Sequence, residues 1–168
     1  MNDPNCSPPP LGGVRGGPEV REGLLFLSLG SNLGDRASNL RAALALLADE
    51  VGPMLAVSSF IDTAPVDMAS PHRFLNAVAA FRTTLSAARL LAVTQDIERR
   101  LGRTEKSHDG HHPDRTIDID ILLLGDLRVD NEEVIPGHRL TIPHPRMLER
   151  DFVMKPLREV QRMLAEKH

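Results

Sequence analysis

Two aspartates two residues apart, Asp118 and Asp120, lie in the stretch Arg115-Thr116-Ile117-Asp118-Ile119-Asp120-Ile121-Leu122-Leu123-Leu124. Side chains alternate faces along a strand, so the two carboxylates point one way and Ile117, Ile119 and Ile121 the other. Aspartate is disfavoured in strands. Two on one face, about 7 Å apart along the chain, repel each other unless something positive lies between them. Hard divalent cations relieve that repulsion, and Mg²⁺ is commonly held by one or two carboxylates together with substrate phosphates. An amphipathic strand with a wet face is the other reading of the same pair. The apolar run Ile121 to Leu124 that follows marks a buried central strand and favours the metal.

Cations gather upstream of this pair. The segment between Gly102 and Asp118 carries Arg103, Lys106, His108, His111, His112 and Arg115. A polyphosphate needs such an arrangement, its charge divided between metal and Arg/Lys clamps; a solvated charged loop is the plainer alternative. The three histidines have no cysteine beside them and match no zinc spacing. Gly30-Ser31-Asn32 reads as a strand-to-helix turn near a helix N-terminus, where a phosphate can bind, but no Gly-Lys-Ser/Thr follows to make it a Walker loop. Arg139-Leu140-Thr141-Ile142-Pro143-His144-Pro145 reads as a second turn-like segment, rich in rigid proline, with two cationic candidates.

These groups need elements to hold them. Leu24 to Leu29 reads as a buried strand ending at Gly30. Asp35 is placed to cap a helix whose apolar face is Leu40, Ala43, Leu44 and Leu47. Val51-Gly52-Pro53 ends that helix. Met54 to Phe60 reads as a strand, a polar loop with Pro65, Ser70 and Pro71 follows, and Asn76 to Thr84 is another strand. Leu90, Thr94, Ile97 and Leu101 mark a second amphipathic helix, closed by Gly102. Ile117 to Leu124 is a strand turned by Gly125-Asp126, and the remainder reads as loop and short helix. Strand, helix, strand, strand, helix, strand is the split βαβ pattern. The expected fold is α+β, a ferredoxin-like αβα sandwich with a mainly antiparallel sheet.

The 168 residues suit one domain. Residues 1–22 read as a disordered Gly/Pro-rich tail with too little apolar surface to offset its ordering entropy, and residues 23–168 as the folded body. A net charge of −3 excludes a basic nucleic-acid binder by bulk charge. The single cysteine, Cys6, excludes an intramolecular disulfide and suits a reducing compartment. The apolar runs are too short to cross a bilayer, and no secretory signal is evident. The chain is therefore expected to be cytoplasmic, without membrane or nucleic-acid partners. It has five Phe, no Tyr and no Trp, so the core must be aliphatic and each Phe invites a question.

Taken in order, several segments resemble the 6-hydroxymethyl-7,8-dihydropterin pyrophosphokinase family. They are Gly30-Ser31-Asn32-Leu33, Ser58-Ser59-Phe60, Thr63-Ala64-Pro65-Val66, Phe74-Leu75-Asn76-Ala77, Gln95-Asp96-Ile97-Glu98, Leu101-Gly102-Arg103, Arg115 to Ile121, Leu140 to Arg146, and Arg150-Asp151-Phe152-Val153. The Arg-Thr-Ile-Asp-Ile-Asp-Ile core is the most specific, and the match runs over about residues 23–157.

The resemblance implies a reaction between ATP, as co-substrate, and the pterin alcohol in folate biosynthesis. Pyrophosphate moves as a unit and AMP leaves. Two Mg²⁺ ions are implied, held by Asp118 and Asp120. Phe74 and Phe152 would face the pterin ring, Asn76 would read its amide edge, and Thr63, Pro65 and Val66 would help. Gln95, Glu98, Arg103, Arg115, Ile119, Arg139, Thr141, His144 and Arg150 would line the ATP site, with Arg103 and Arg115 among the catalytic residues. For Glu98 and Arg150 a surface ion pair is the alternative. Loops 31–37, 64–73 and 103–115 are expected to move and close over the substrates, and the protein is expected to be a monomer. The chain departs from the family before Arg115, where His111-His112-Pro113-Asp114 replaces an aromatic and Gly-Pro. It departs again at Pro145, where an aromatic is usual. Two rivals remain on the same scaffold: another Mg²⁺-dependent nucleotidyl or phosphoryl transferase, and a ligand-binding module without turnover.

Overall fold

The computed structural model describes residues 22–64, 72–102 and 116–167. Strand β1 (Gly23–Ser31) is followed by helix α1 (Arg36–Glu50), then β2 (Met54–Val57), β3 (Ile61–Thr63), β4 (Phe74–Thr83), α2 (Ala87–Arg100) and β5 (Asp118–Leu124). A hairpin of β6 (Val129–Ile135) and β7 (His138–Ile142), a short 3-10 turn (Met147–Glu149) and α3 (Asp151–Glu166) complete the order. The main sheet runs β2-β4-β1-β5, with β3 also paired to β4. All its pairings are antiparallel. The expected split βαβ arrangement is thus present, with three helices about a mainly antiparallel sheet.

Alternation divides the sheet into two apolar faces. Leu25, Leu27 and Leu29 of β1 and Ala77, Ala79 and Phe81 of β4 pack with Leu40, Ala43, Leu44 and Leu47 of α1 and with Leu90 and Ile97 of α2. Phe26, Val78, Ala80 and Leu122 point the other way, against Val153, Leu157 and Val160 of α3. The three β1 leucines have no accessible surface; each such burial contributes about 1.5–3 kcal/mol. The helix ends follow their capping chemistry. The Asp35 carboxylate accepts the Ser38 N–H at 3.1 Å, and this bond holds its carboxyl below the usual range. Ser86 accepts the Arg89 N–H at the start of α2.

Strand β5 slips by one residue against β1. Phe26 faces Leu123 and Leu27 faces Ile121, so Leu122 is extra. Leu122 and Leu123 both pack toward α3, and Leu124 returns to the α1/α2 side.

Five local expectations are corrected. The strand expected over Met54 to Phe60 ends at Val57, because Ser58 leaves the ladder: its hydroxyl takes the Val78 N–H at 3.0 Å in place of a backbone carbonyl. The separate strand β3 lies in what the sequence suggested was a loop. Gly30 and Ser31 belong to β1, so the turn begins only at Asn32. Arg139 to Ile142 is strand, not turn. The C-terminal part, expected as loop and short helix, contains the β6–β7 hairpin and a 16-residue helix. Pro136-Gly137 closes the hairpin, with Gly137 at φ 80°, a left-handed turn value suited to glycine. Pro156 lies within α3 and is buried; an interior proline removes a helix hydrogen bond, so the packing of α3 on the sheet has overridden a local stop signal. The tail lies outside the described residues apart from Glu22, as do loops 65–71 and 103–115.

Candidate active site

The face of the sheet turned toward α3 is polar at one end. Gly30 of β1 sits between Asn76 of β4 and Asp118 of β5, and Ser28 sits between Val78 and Asp120. Directly paired residues share a face, so the two aspartates lie with Gly30 and Asn76, while Ile119 and Ile121 enter the core on the opposite side. Both aspartates are half-buried. Two same-face carboxylates with hard oxygen donors suit Mg²⁺, which takes its remaining ligands from water and phosphate. Among the described residues no group of three His, Cys, Asp or Glu forms a fuller metal cluster.

On the same face as the aspartates, β3 and β4 bring Thr63, Phe74 and Asn76 together. Thr63 faces Phe74 across these strands. The carboxamide nitrogen of Asn76, only 5% exposed, donates to Thr63 Oγ1 at 2.7 Å. That bond fixes the amide with its oxygen toward Gly30, where a Cβ would meet Asn76 Oδ1 at 3.0 Å and the Phe74 ring at 3.4 Å. Glycine at position 30 therefore lets the carboxamide approach the backbone closely. Phe152, half-buried, packs into the cluster on this same side of the sheet, and the Arg150 guanidinium lies 5.6 Å from its ring centroid, a cation–π distance. Phe26 and Phe81, by contrast, are buried core residues.

Asp62 joins the start of α1 to Arg73, the residue before β4. It bonds Arg36 at 3.0 Å and Arg73 at 2.7 Å, and Arg36 also donates to the Arg73 carbonyl. The Arg36 bond first, then the Arg73 bond, holds the Asp62 carboxyl below its ordinary value. This clamp was not anticipated from the sequence. Its members are three common surface residues with no motif to mark them. The turn after β1 is held similarly, by Asn39 donating to Ser31 Oγ and the Leu33 carbonyl.

On the β5 side, the His144 N–H donates to the Leu122 carbonyl at 2.9 Å. Its Nδ1 accepts the Arg146 N–H at 3.2 Å, which leaves the neutral ring's proton on Nε2. Burial, then the charges of Arg150 and Arg146, push the His144 pKa down, while Asp118 opposes them. His144 is thus a neutral donor within electrostatic reach of Asp118.

The other residues assigned to the nucleotide are distributed around the hairpin and α2. Gln95 meets His138 Nδ1 at 3.2 Å. Glu98 is buried and accepts the Ile119 N–H, so it is not the surface ion-pair residue that was the alternative. The Ile119 side chain is in the core, and its N–H is taken by Glu98. Arg139 and Thr141, two apart on β7, both bond to Asn131 of β6. Asn131 carried no sequence signal beyond its place in a polar run. Pro65, Val66, Arg103 and Arg115 lie outside the described residues.

Comparison with known proteins gives these groups a context. The 7,8-dihydro-6-hydroxymethylpterin-pyrophosphokinase (HPPK) family matches residues 26–162. A 2-amino-4-hydroxy-6-hydroxymethyldihydropteridine pyrophosphokinase of Porphyromonas gingivalis is 51% identical over 140 residues, covering 82% of this chain and 90% of that protein. Its Bacillus subtilis counterpart is 42% identical, covering 82% and 77%. Among solved structures, a Plasmodium falciparum HPPK-DHPS superposes with a TM-score of 0.63 at 16% identity, covering 83% of this chain. The chain spans 40% of that longer protein, and this likeness speaks to the fold alone. Among the described residues no helix is long and apolar enough to cross a membrane.

Proposed function

The chain belongs to the HPPK family and is a pyrophosphokinase of folate biosynthesis acting on 6-hydroxymethyl-7,8-dihydropterin, and on that premise we propose how its residues divide the work. ATP is the donor. The pterin hydroxymethyl oxygen attacks the β-phosphorus, the bond from that phosphorus to the α,β-bridging oxygen breaks, AMP leaves with the bridging oxygen, and the hydroxyl proton passes to solvent. Two Mg²⁺ ions held by Asp118 and Asp120 would neutralise phosphate charge and lower the pKa of the attacking hydroxyl.

The chain's own groups bind and orient. Phe74 and Phe152 offer π faces for a flat heteroaromatic ring. Asn76, its amide oriented by Thr63, reads the ring's edge, a role we extend to Pro65 and Val66 from the family resemblance. His144 presents an Nε2 proton toward anionic oxygen. Arg103, Arg115, Arg139, Thr141 and Arg150 share the nucleotide and its phosphates; Gln95 contributes from α2. Glu98 acts one step removed, by holding the strand at Ile119. Positioning and electrostatics can supply most of such catalysis. The body at 23–168 is taken to work as a cytoplasmic monomer.

The observation that carries this reading is the shared face: Gly30, Asn76, Asp118 and Asp120 occupy adjacent positions on three neighbouring strands. A product assay tests it. With ATP, Mg²⁺ and the dihydropterin alcohol, AMP should form in step with pterin diphosphate, and neither should form without the alcohol. ADP or free pyrophosphate as the product would point to a different transferase.

A further inference from the structure

Strand β6 carries one residue more than its partner between two paired positions, since Val129 faces Ile142 and Glu132 faces Leu140. Asn131 lies in this bulge with a φ of 51°, a left-handed backbone that no other non-glycine among the described residues adopts. Asparagine tolerates that conformation better than most side chains. It turns three polar groups of Asn131 toward β7. The N–H donates to Thr141 Oγ1 at 3.1 Å. The side-chain Oδ1 accepts from Arg139 Nε at 3.1 Å, and the backbone carbonyl accepts from Arg139 Nη2.

These contacts leave chemistry to spare. A guanidinium has five N–H donors, and two of Arg139's are spent on Asn131. The Nη1 pair and one Nη2 hydrogen remain for an anion. Thr141 has accepted a hydrogen bond, so its own hydroxyl proton is still available to donate. Leu140 and Ile142 turn the opposite way, into the core, which fixes the face of β7 on which Arg139 and Thr141 stand.

We propose that Asn131 is a positioning residue for nucleotide binding: the left-handed bulge locks Arg139 and Thr141 with their remaining donors directed together at the phosphates or ribose of ATP. The inference rests on the reading that these two side chains contact the nucleotide. Holding an arginine in its bound orientation beforehand removes part of the ordering cost of binding.

Asn131→Gly in the full chain keeps the left-handed backbone and both backbone contacts, and removes the side chain with its Oδ1 contact to Arg139. It is expected to raise the KM for Mg·ATP by about three- to tenfold, the scale of one ordinary net hydrogen bond, with kcat and the pterin KM within about twofold of the parent. Asn131→Asp, which retains the acceptor, should restore most of the affinity. Arg139→Ala should raise the same KM, and adding Asn131→Gly to it should have no further effect. If Arg139→Ala leaves the ATP KM unchanged, the nucleotide assignment fails and the positioning role with it. If Arg139→Ala raises it but Asn131→Gly does not, or if Asn131→Gly changes kcat and both KM values alike, Asn131 does not position the arginine for ATP.

Discussion

The carboxylate of Glu98 accepts the backbone N–H of Ile119 at 2.8 Å, and Ile119 is the residue between the two aspartates. β5 is an edge strand of the main sheet, and an edge leaves backbone donors in need of partners. Glu98 supplies one at the position that matters for the acids. Helix α2 thereby fixes the local course of the strand from which Asp118 and Asp120 project.

Glu98→Ala should strand that buried amide and cost about 1–3 kcal/mol of stability, seen as a lower urea midpoint without ligand. It should also weaken Mg·ATP, because the aspartates lose their fixed spacing. Glu98→Gln retains an acceptor and should do less of both. Equal stability in parent and alanine variant would show that the bond does not support the strand.

Asp118→Asn and Asp120→Asn each preserve shape and remove one carboxylate charge. Each should lower turnover by at least about a hundredfold, the scale of lost metal stabilisation of several kcal/mol, and weaken Mg²⁺-dependent ATP binding by calorimetry. Near-parental rates in both variants would remove the metal assignment. A binding module without turnover would show no AMP from the parent either.

Gly30→Ala should damage the pterin side selectively. The new methyl would press Asn76 Oδ1 at the distance described above, and the carboxamide cannot retreat freely, since Asn76 is buried and bonded to Thr63. A loss of about 1–3 kcal/mol, typical of overpacking, should accompany a rise in the pterin KM of about tenfold or more. The ATP KM should move much less. An unchanged pterin KM would place the ring elsewhere.

His144 should titrate below the ordinary histidine value in the metal-free protein, with burial as the main cause. The unfolded chain takes up that proton more readily, so the stabilising contribution of the neutral ring is complete above the ordinary value. It is lost progressively as pH falls through the lowered one. NMR of the ring protons reads the midpoint directly. Asp118→Asn should move it further down, because the Asp118 charge opposes the shift; an unmoved midpoint would mean the two groups do not sense each other.

Much of this was legible from residue pattern. The alternation of Asp118, Asp120 and the isoleucines predicted which faces they occupy. The spacing of Leu40, Ala43, Leu44 and Leu47 predicted the buried side of α1, and Asp35 its cap. The hairpin was not legible, because Val129 to Ile135 includes four consecutive polar residues and a bulge, which erase the period of two. α3 was obscured by Pro156, whose cost the tertiary packing absorbs. Family resemblance supplied the roles proposed for Phe74, Asn76 and Phe152, which composition alone would have assigned to core packing or surface. It did not supply Asn131 or the Asp62 clamp, because their contribution lies in contacts between segments distant in sequence or in a backbone angle, neither of which a motif encodes.

The extra residue at Leu122 gives β5 two halves of opposite parity. Were the same seven residues to run without the bulge, Leu122 taking an ordinary ladder position and Leu124 kept in its apolar seat, simple alternation would carry the acidic half around to the α1/α2 side and bury two carboxylates among leucines. The irregularity therefore acts as a phase adapter: one stretch of backbone satisfies the oily layer beneath it, while the stretch before it presents charge on the opposite face of the sheet.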